Sequence, residues 1–192
     1  CDDLYGGSYR LFSRLLAPRG ISVRYADFTD PDALRDALSP PTRLVHFETP
    51  TNPLLRVVDI RAVVAAARER APAARVLVDS TATSPWSPRP LELGAGIFPP
   101  PPPRPLSAPG DVPAGTLVVR DRSLAEELAF IQNAEGSALA PFDSFLLLRG
   151  LKTLGVRVER QQRTARAVAE FLSHHPGVSE VGYPALPGAP GH

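Results

Sequence analysis

A chain of 192 residues, 43% apolar and 21% charged, is long enough to bury one sizeable core and to begin a second domain. Its formal net charge of +1 excludes electrostatic recruitment by nucleic acid or an anionic membrane, and no apolar run approaches the ~20 residues of a membrane span. The single cysteine, Cys1, excludes an internal disulfide and fits a reducing, cytoplasmic setting. The opening Cys1-Asp2-Asp3 lacks the basic-then-apolar order of a secretory signal. The chain has no methionine, so a fragment is expected, and Lys152 is its one lysine.

Strand-like and helix-like segments alternate along the chain. Tyr9, Leu11, Phe12, Leu15 and Leu16 fall at helical spacing, and that helix is expected to stop before Pro18 and Gly20. Residues 21–25 alternate apolar and polar as a strand does. Asp30 and Pro31 open a helix through Leu38, as cap and first helical residue. Residues 44–47 form a strand ending at Glu48. Asp59 then caps a helix carrying Ile60, Val63, Val64 and Ala67, and residues 75–78 form a strand ending at Asp79.

Further along, residues 115–120 read as a strand, and Ser123 caps a helix through Ile131. Helices follow over 143–151 and 156–172, then a strand over 178–183. The alternation predicts an α/β fold with a mostly parallel sheet flanked by helices. Ligands of such sheets bind beyond the carboxyl ends of the strands, where Glu48 and Asp79 lie. A domain boundary is expected near His174-His175-Pro176, giving a large domain over 1–174 and the start of a small one over 175–192. Two adjacent histidines point apart on a helix, so no metal site is expected.

Several blocks carry a resemblance. They are Asp2-Asp3-Leu4-Tyr5-Gly6-Gly7-Ser8-Tyr9-Arg10-Leu11-Phe12, Glu48-Thr49-Pro50-Thr51-Asn52-Pro53, Val78-Asp79-Ser80-Thr81, and Arg89-Pro90-Leu91-Glu92-Leu93-Gly94-Ala95. Arg149-Gly150-Leu151-Lys152-Thr153-Leu154 and Tyr183-Pro184-Ala185-Leu186-Pro187 extend the series. Together and in this order they resemble the Cys/Met-metabolism family of pyridoxal-phosphate-dependent enzymes, of the cystathionine γ-lyase and γ-synthase type. The resemblance implies a type I pyridoxal-phosphate-dependent transferase-like fold, truncated at both ends. It also implies a small amino-acid substrate and a homo-oligomer, a tetramer in the family.

The cofactor implied is pyridoxal 5′-phosphate, an electron sink for the carbanion formed at an amino acid's Cα. By resemblance Asp79 faces the ring nitrogen, Tyr5 stacks on the ring and assists proton transfer, and Asn52 bonds the ring oxygen. Thr81 also lines the cofactor site, and Glu48 lines the substrate pocket. Ser80 stands where the family usually carries asparagine. Tyr5-Gly6-Gly7 and Phe142-Asp143 resemble the members acting at the γ-carbon, by elimination or replacement at a carbon–sulfur or carbon–oxygen bond.

The pattern then breaks. The family's Ser-x-Thr-Lys element, two hydroxyls for the phosphate and the lysine for the covalent link, aligns with Pro101, Pro103 and Arg104. Proline has neither hydroxyl nor backbone N–H. Covalent attachment needs a neutral amine, and a guanidinium stays protonated, so Arg104 is not competent for it. It keeps a charge able to pair with phosphate.

Three readings follow. In the first, the chain represents a transsulfuration enzyme whose proline block arose by a frame error. In the second, it is a catalytically silent homologue with a structural or hetero-oligomer role. In the third, residues 99–105 are a polyproline ligand for a proline-binding module. The family pattern stops near Phe98 and resumes at Asp111 in the same register, as two compensating frameshifts leave it. The first reading predicts Ser-x-Thr-Lys codons in a shifted frame across codons 97–111. Their absence from both shifted frames eliminates it.

Overall fold

The computed structural model describes residues 1–38, 41–83, 88–99 and 112–189. Strands β1 (Leu44–Glu48) and β2 (Arg75–Asp79) pair in parallel, Leu44 opposite Arg75 and Glu48 opposite Asp79. Strand β3 (Ile97–Phe98) is parallel to β2, and β4 (Val118–Val119) is antiparallel to β3, giving the order β1-β2-β3-β4. This is the mostly parallel, helix-flanked sheet that the alternation of segments predicts. The register leaves Glu48 and Asp79 side by side at one edge.

Alternation within the strands explains the core. Val45 and Phe47 of β1 and Val76 and Val78 of β2 are buried, as every second residue of a pleated strand faces the same way. Helix α3 (Ile60–Arg70) adds Ile60, Val63, Val64 and Ala67, spaced to share one face, and all four join the same buried cluster. Asp59 opens that helix: its Oδ1 accepts from Arg61 N at 2.8 Å and Ala62 N at 3.2 Å. Helix α2 (Pro31–Ala37) is opened in the same way, Asp30 accepting from Asp32 N at 2.9 Å.

Elsewhere the local signals are redirected. Helix α1 (Gly6–Arg10) runs on as a π-helical stretch over Leu11–Leu16 and a tight turn over Ala17–Arg19 that contains Pro18. Gly20 closes it at φ 87°, a conformation that favours glycine. Residues 21–25 make no strand. Asp2 N donates to Ala26 O at 3.0 Å, while Arg24 Nη1 donates to the Asp36 and Ala37 carbonyls at the end of α2. Extended sequence becomes a strand only beside another strand, and among the described residues neither 21–25 nor 178–183 joins the sheet.

Helix α4 (Arg122–Glu135) is capped by Asp121, not Ser123. The Asp121 carboxylate accepts from Leu124 N at 2.8 Å, which leaves Ser123 inside the first turn. Helices α5 (Pro141–Leu151) and α6 (Leu154–Ser173) meet where Leu147 packs on Leu154 and Val158. The residues Phe142, Phe145 and Leu148 of α5 are exposed at three-residue spacing. No described helix is long and apolar enough to cross a membrane.

Two substitutions test this core. Phe47, 0% exposed, is expected to cost about 3–5 kcal/mol of unfolding free energy on replacement by alanine. Asp59→Ala is expected to cost about 1 kcal/mol, a lost helix cap. Equilibrium urea denaturation measures both, and a Phe47→Ala loss no larger than the Asp59→Ala loss would contradict the packing described.

Candidate functional site

The site grows from the parallel register. Glu48 and Asp79 end their strands as Cα partners, and Thr49 N donates to Asp79 O at 2.9 Å just beyond. Glu48 is buried at 5% exposure, and its Oε1 accepts from the backbone N–H of Tyr5 at 2.8 Å. A strand-end carboxylate thus pins a segment that lies 43 residues earlier in the chain. Asp79 is half-buried, and its Oδ1 accepts from both the N–H of Thr81, at 2.8 Å, and the Thr81 hydroxyl. Among the described residues nothing bonds the other oxygen, Oδ2.

Tyr5 is the residue before α1 and is 56% exposed. Its ring folds over Gly7. A Cβ added there would lie 2.9 Å from Tyr5 Cδ1 and closer still to Cε1, so any other residue would displace the ring. Asn52 is exposed in the turn after β1, and its amide bonds no described residue. The turn itself is tightly held. Thr51 N donates to Arg56 O at 2.9 Å, Arg56 N to Thr51 Oγ1 at 2.9 Å, and Leu55 N to Thr51 O at 3.1 Å. Leu55 sits at φ 55°, a left-handed position that is costly for a branched side chain.

Tyr5, Glu48 and Asp79 are joined by these bonds at one sheet edge, with Thr81 bonded to Asp79 and Asn52 on the adjoining turn. Arg104 lies outside the described residues. Gly7 and Asp3 are what residue-by-residue reading understates. Gly7 is signalled only by its place beside Tyr5. Asp3 resembles an ordinary charged start until its partners, Thr51 and Leu54, are known. Two buried polar atoms have no partner among the described residues, Ser80 Oγ and His46 Nδ1.

Comparison with known proteins follows the same outline. The family model described as Cys/Met metabolism PLP-dependent enzyme matches residues 1–192. A probable cystathionine gamma-synthase of Herpetosiphon aurantiacus is 44% identical over 191 residues, which cover 100% of this chain and 59% of the relative. The chloroplastic cystathionine beta-lyase of Arabidopsis thaliana is 46% identical, with 100% of this chain matching 41% of it. The crystal structure of cystathionine gamma synthase from Xanthomonas oryzae pv. oryzae, in complex with aminoacrylate and cysteine, superposes with a TM-score of 0.94 at 41% identity. It is matched by 100% of this chain and over 49% of its own. The chain therefore spans about half the length of the relatives it matches.

Burial sets the electrostatics. The Glu48 carboxyl is pushed up to about 7, chiefly by desolvation. The Tyr5 N–H opposes the shift, and the Asp79 and Asp3 carboxylates add to it. His46 is lowered to about 4, first by burial and then by the Cys1 amino group, with Asp79 opposing. Folding therefore favours neutral Glu48, a contribution complete below the ordinary value of 4.5 and lost as pH rises through about 7. It also favours neutral His46, a contribution complete above 6.5 and lost as pH falls through about 4. The two trends oppose each other between 4.5 and 6.5. Glu48→Gln removes one of them. The variant's stability relative to the parent is expected to rise with pH from 4.5 to about 7 and then to level off, as followed by urea midpoints. A difference that stays flat across that range would contradict the shift.

Proposed function

The chain belongs to the Cys/Met-metabolism family of pyridoxal-phosphate-dependent enzymes, and from that premise we propose that it carries the cofactor-holding part of an enzyme for the γ-carbon of cystathionine or an activated homoserine. The reaction class is γ-elimination or γ-replacement. Residues 1–174 are the large domain in this reading, and 175–192 begin the small one. The observation that carries it is one pattern repeated three times at the sheet edge. Tyr5 and Asp79 each have a backbone held by hydrogen bonds, Asn52 lies in a turn closed by the bonds of Thr51 with Leu55 and Arg56, and each of the three keeps a side-chain group free among the described residues.

That pattern fits the ring of pyridoxal phosphate. Asp79 would hold the protonated ring nitrogen through Oδ2, with Thr81 fixing the carboxylate by its other oxygen. Tyr5 would cover the ring face, its own ring set by the missing side chain at Gly7. Asn52 would donate to the ring oxygen, and Glu48 would line the substrate side. When bound, the cofactor supplies an electron sink for negative charge developing at the substrate Cα. The chain's own residues orient that sink and keep its nitrogen paired.

The attachment position does not fit. Arg104 offers no neutral amine, and Pro101 and Pro103 offer no hydroxyls, so no covalent step is assigned to this chain. What remains is binding without the link, with the Arg104 charge available for the phosphate. The same residue favours a second reading, a catalytically silent homologue serving within a larger assembly. Exposed Phe142, Phe145 and Leu148 on α5 support an oligomer, since they leave apolar area that a monomer keeps in water. The relatives include both γ-synthases and β-lyases. The γ assignment is supported by the likeness of Tyr5-Gly6-Gly7 and Phe142-Asp143. A cytoplasmic location is supported by the single cysteine.

Borohydride reduction of the chain with pyridoxal phosphate, followed by peptide mapping, tests the assignment. The native sequence is expected to carry no pyridoxyl group at position 104. The variant with Pro101→Ser, Pro103→Thr and Arg104→Lys is expected to gain one there, and to lose most of it when Asp79→Ala is added. Labelling of that variant at Lys152 alone would refute the role given to position 104.

A further inference from the structure

The groups assigned above leave Asp3 unexplained. Its Oδ2 accepts from the hydroxyl of Thr51 and from Leu54 N at 3.3 Å, donors 48 and 51 positions further along the chain. Those two donors stand on either side of Asn52. Thr51 is 2% exposed and bonded through N–H, carbonyl and hydroxyl, so Asp3 grips the most firmly held point of the turn. Two residues after Asp3, Tyr5 N donates to Glu48. The short segment 3–5 therefore accepts at one end and donates at the other, and all three bonds reach the stretch 48–54.

We propose that Asp3 is a positioning residue for the cofactor pocket, setting the turn that carries Asn52 against the segment that carries Tyr5. The inference rests on the reading of Tyr5 and Asn52 as contacts to the cofactor ring. Tyr5 has a free side chain on a bonded backbone, and Asn52 has a free side chain in a turn held by its neighbours Thr51, Leu55 and Arg56. Tyr5 belongs to segment 3–5 and Asn52 to the turn, and the Asp3 carboxylate joins the two. A residue needed only to close a surface turn would be satisfied within that turn. The turn over 51–56 already closes through Thr51 and Arg56 without Asp3. The carboxylate adds the tie to residues 3–5.

The test uses the full chain and 4-deoxypyridoxine 5′-phosphate, which keeps the ring nitrogen, ring oxygen and phosphate but has no aldehyde to react with amines. Two readouts are taken on Asp3→Ala and Asp3→Asn. The first is amide hydrogen exchange at Leu54, which involves no cofactor. The second is the dissociation constant of the probe from intrinsic fluorescence. Asp3→Ala is expected to speed Leu54 exchange while β1 and β2 amides stay protected, and to weaken the probe about tenfold, the scale of one hydrogen bond to a charged group. Asp3→Asn keeps an oxygen of the same reach and is expected to restore both readouts to within about twofold.

Faster Leu54 exchange with unchanged probe affinity would overturn the proposal and leave Asp3 a structural residue. Unchanged Leu54 exchange would overturn it by removing the tie itself. If the parent chain binds no probe, the cofactor reading fails and the proposal with it. The exchange result then still reports whether Asp3 joins the two segments. A general loss of protection in Asp3→Ala transfers the decision to Asp3→Asn, where weak probe binding with slow Leu54 exchange counts against the proposal.

Discussion

The in-register parallel pairing of β1 with β2 is the constraint on which the site depends. It brings the strand ends Glu48 and Asp79 together as partners, so two carboxyl groups share one edge. Water would screen two such charges cheaply, whereas burial does not. The fold resolves the conflict by treating them differently. Glu48 is buried, keeps its proton to about 7 and accepts the Tyr5 N–H. Asp79 remains half-buried and receives two bonds from Thr81. One carboxyl becomes an acceptor for a distant N–H, and the other is bonded through Oδ1 alone among the described residues.

The same division between held and free runs through the surrounding loops. Segment 3–5 and the turn over 49–56 are irregular chain, which would ordinarily be mobile. Here one backbone N–H in each is taken by a side chain from a distant position, Tyr5 N by Glu48 and Leu54 N by Asp3. Thr49 adds a fully buried exchange, its hydroxyl donating to Val58 O at 3.0 Å and accepting from Val58 N at 3.1 Å. Loops fixed in this way lose little further entropy when a ligand arrives, which is the advantage of preorganisation. The left-handed Leu55 beside Asn52 is consistent with a turn whose shape is imposed by its bonds, not by its residues.

What the sequence discloses follows the range of each interaction. Asp30 and Asp59 are legible as caps because their partners lie two or three residues away, and the α3 face is legible because its four core residues repeat with the helix. The strand ends at Glu48 and Asp79 are legible for the same reason. Asp121 displaces Ser123 because two capping residues compete within one turn, and local preference ranks them too closely. Residues 21–25 alternate like a strand, but they join no strand of the described sheet. Asp3 is hidden most deeply. Its partners are about fifty residues away, and no periodicity links them.

In the reading proposed for this chain, facing a cofactor ring and attaching it covalently are separate tasks. The bonds that fix Tyr5, Asn52 and Asp79 come from Asp3, Glu48, Thr51, Arg56 and Thr81, all within residues 3–81. By resemblance the amine required for attachment belongs to position 104, in a different stretch of the sequence. An arginine at position 104 offers no neutral amine, while the bonds around Tyr5 and Asp79 and within the turn of Asn52 are present among the described residues. In that reading the ring contacts and the attachment position lie in different stretches of chain, whereas the phosphate hydroxyls are lost together with the amine, at Pro101 and Pro103. The pairing of β1 and β2, the glycine under Tyr5 and the bonds of Asp3 to Thr51 and Leu54 hold this region together, and none of them depends on an amine.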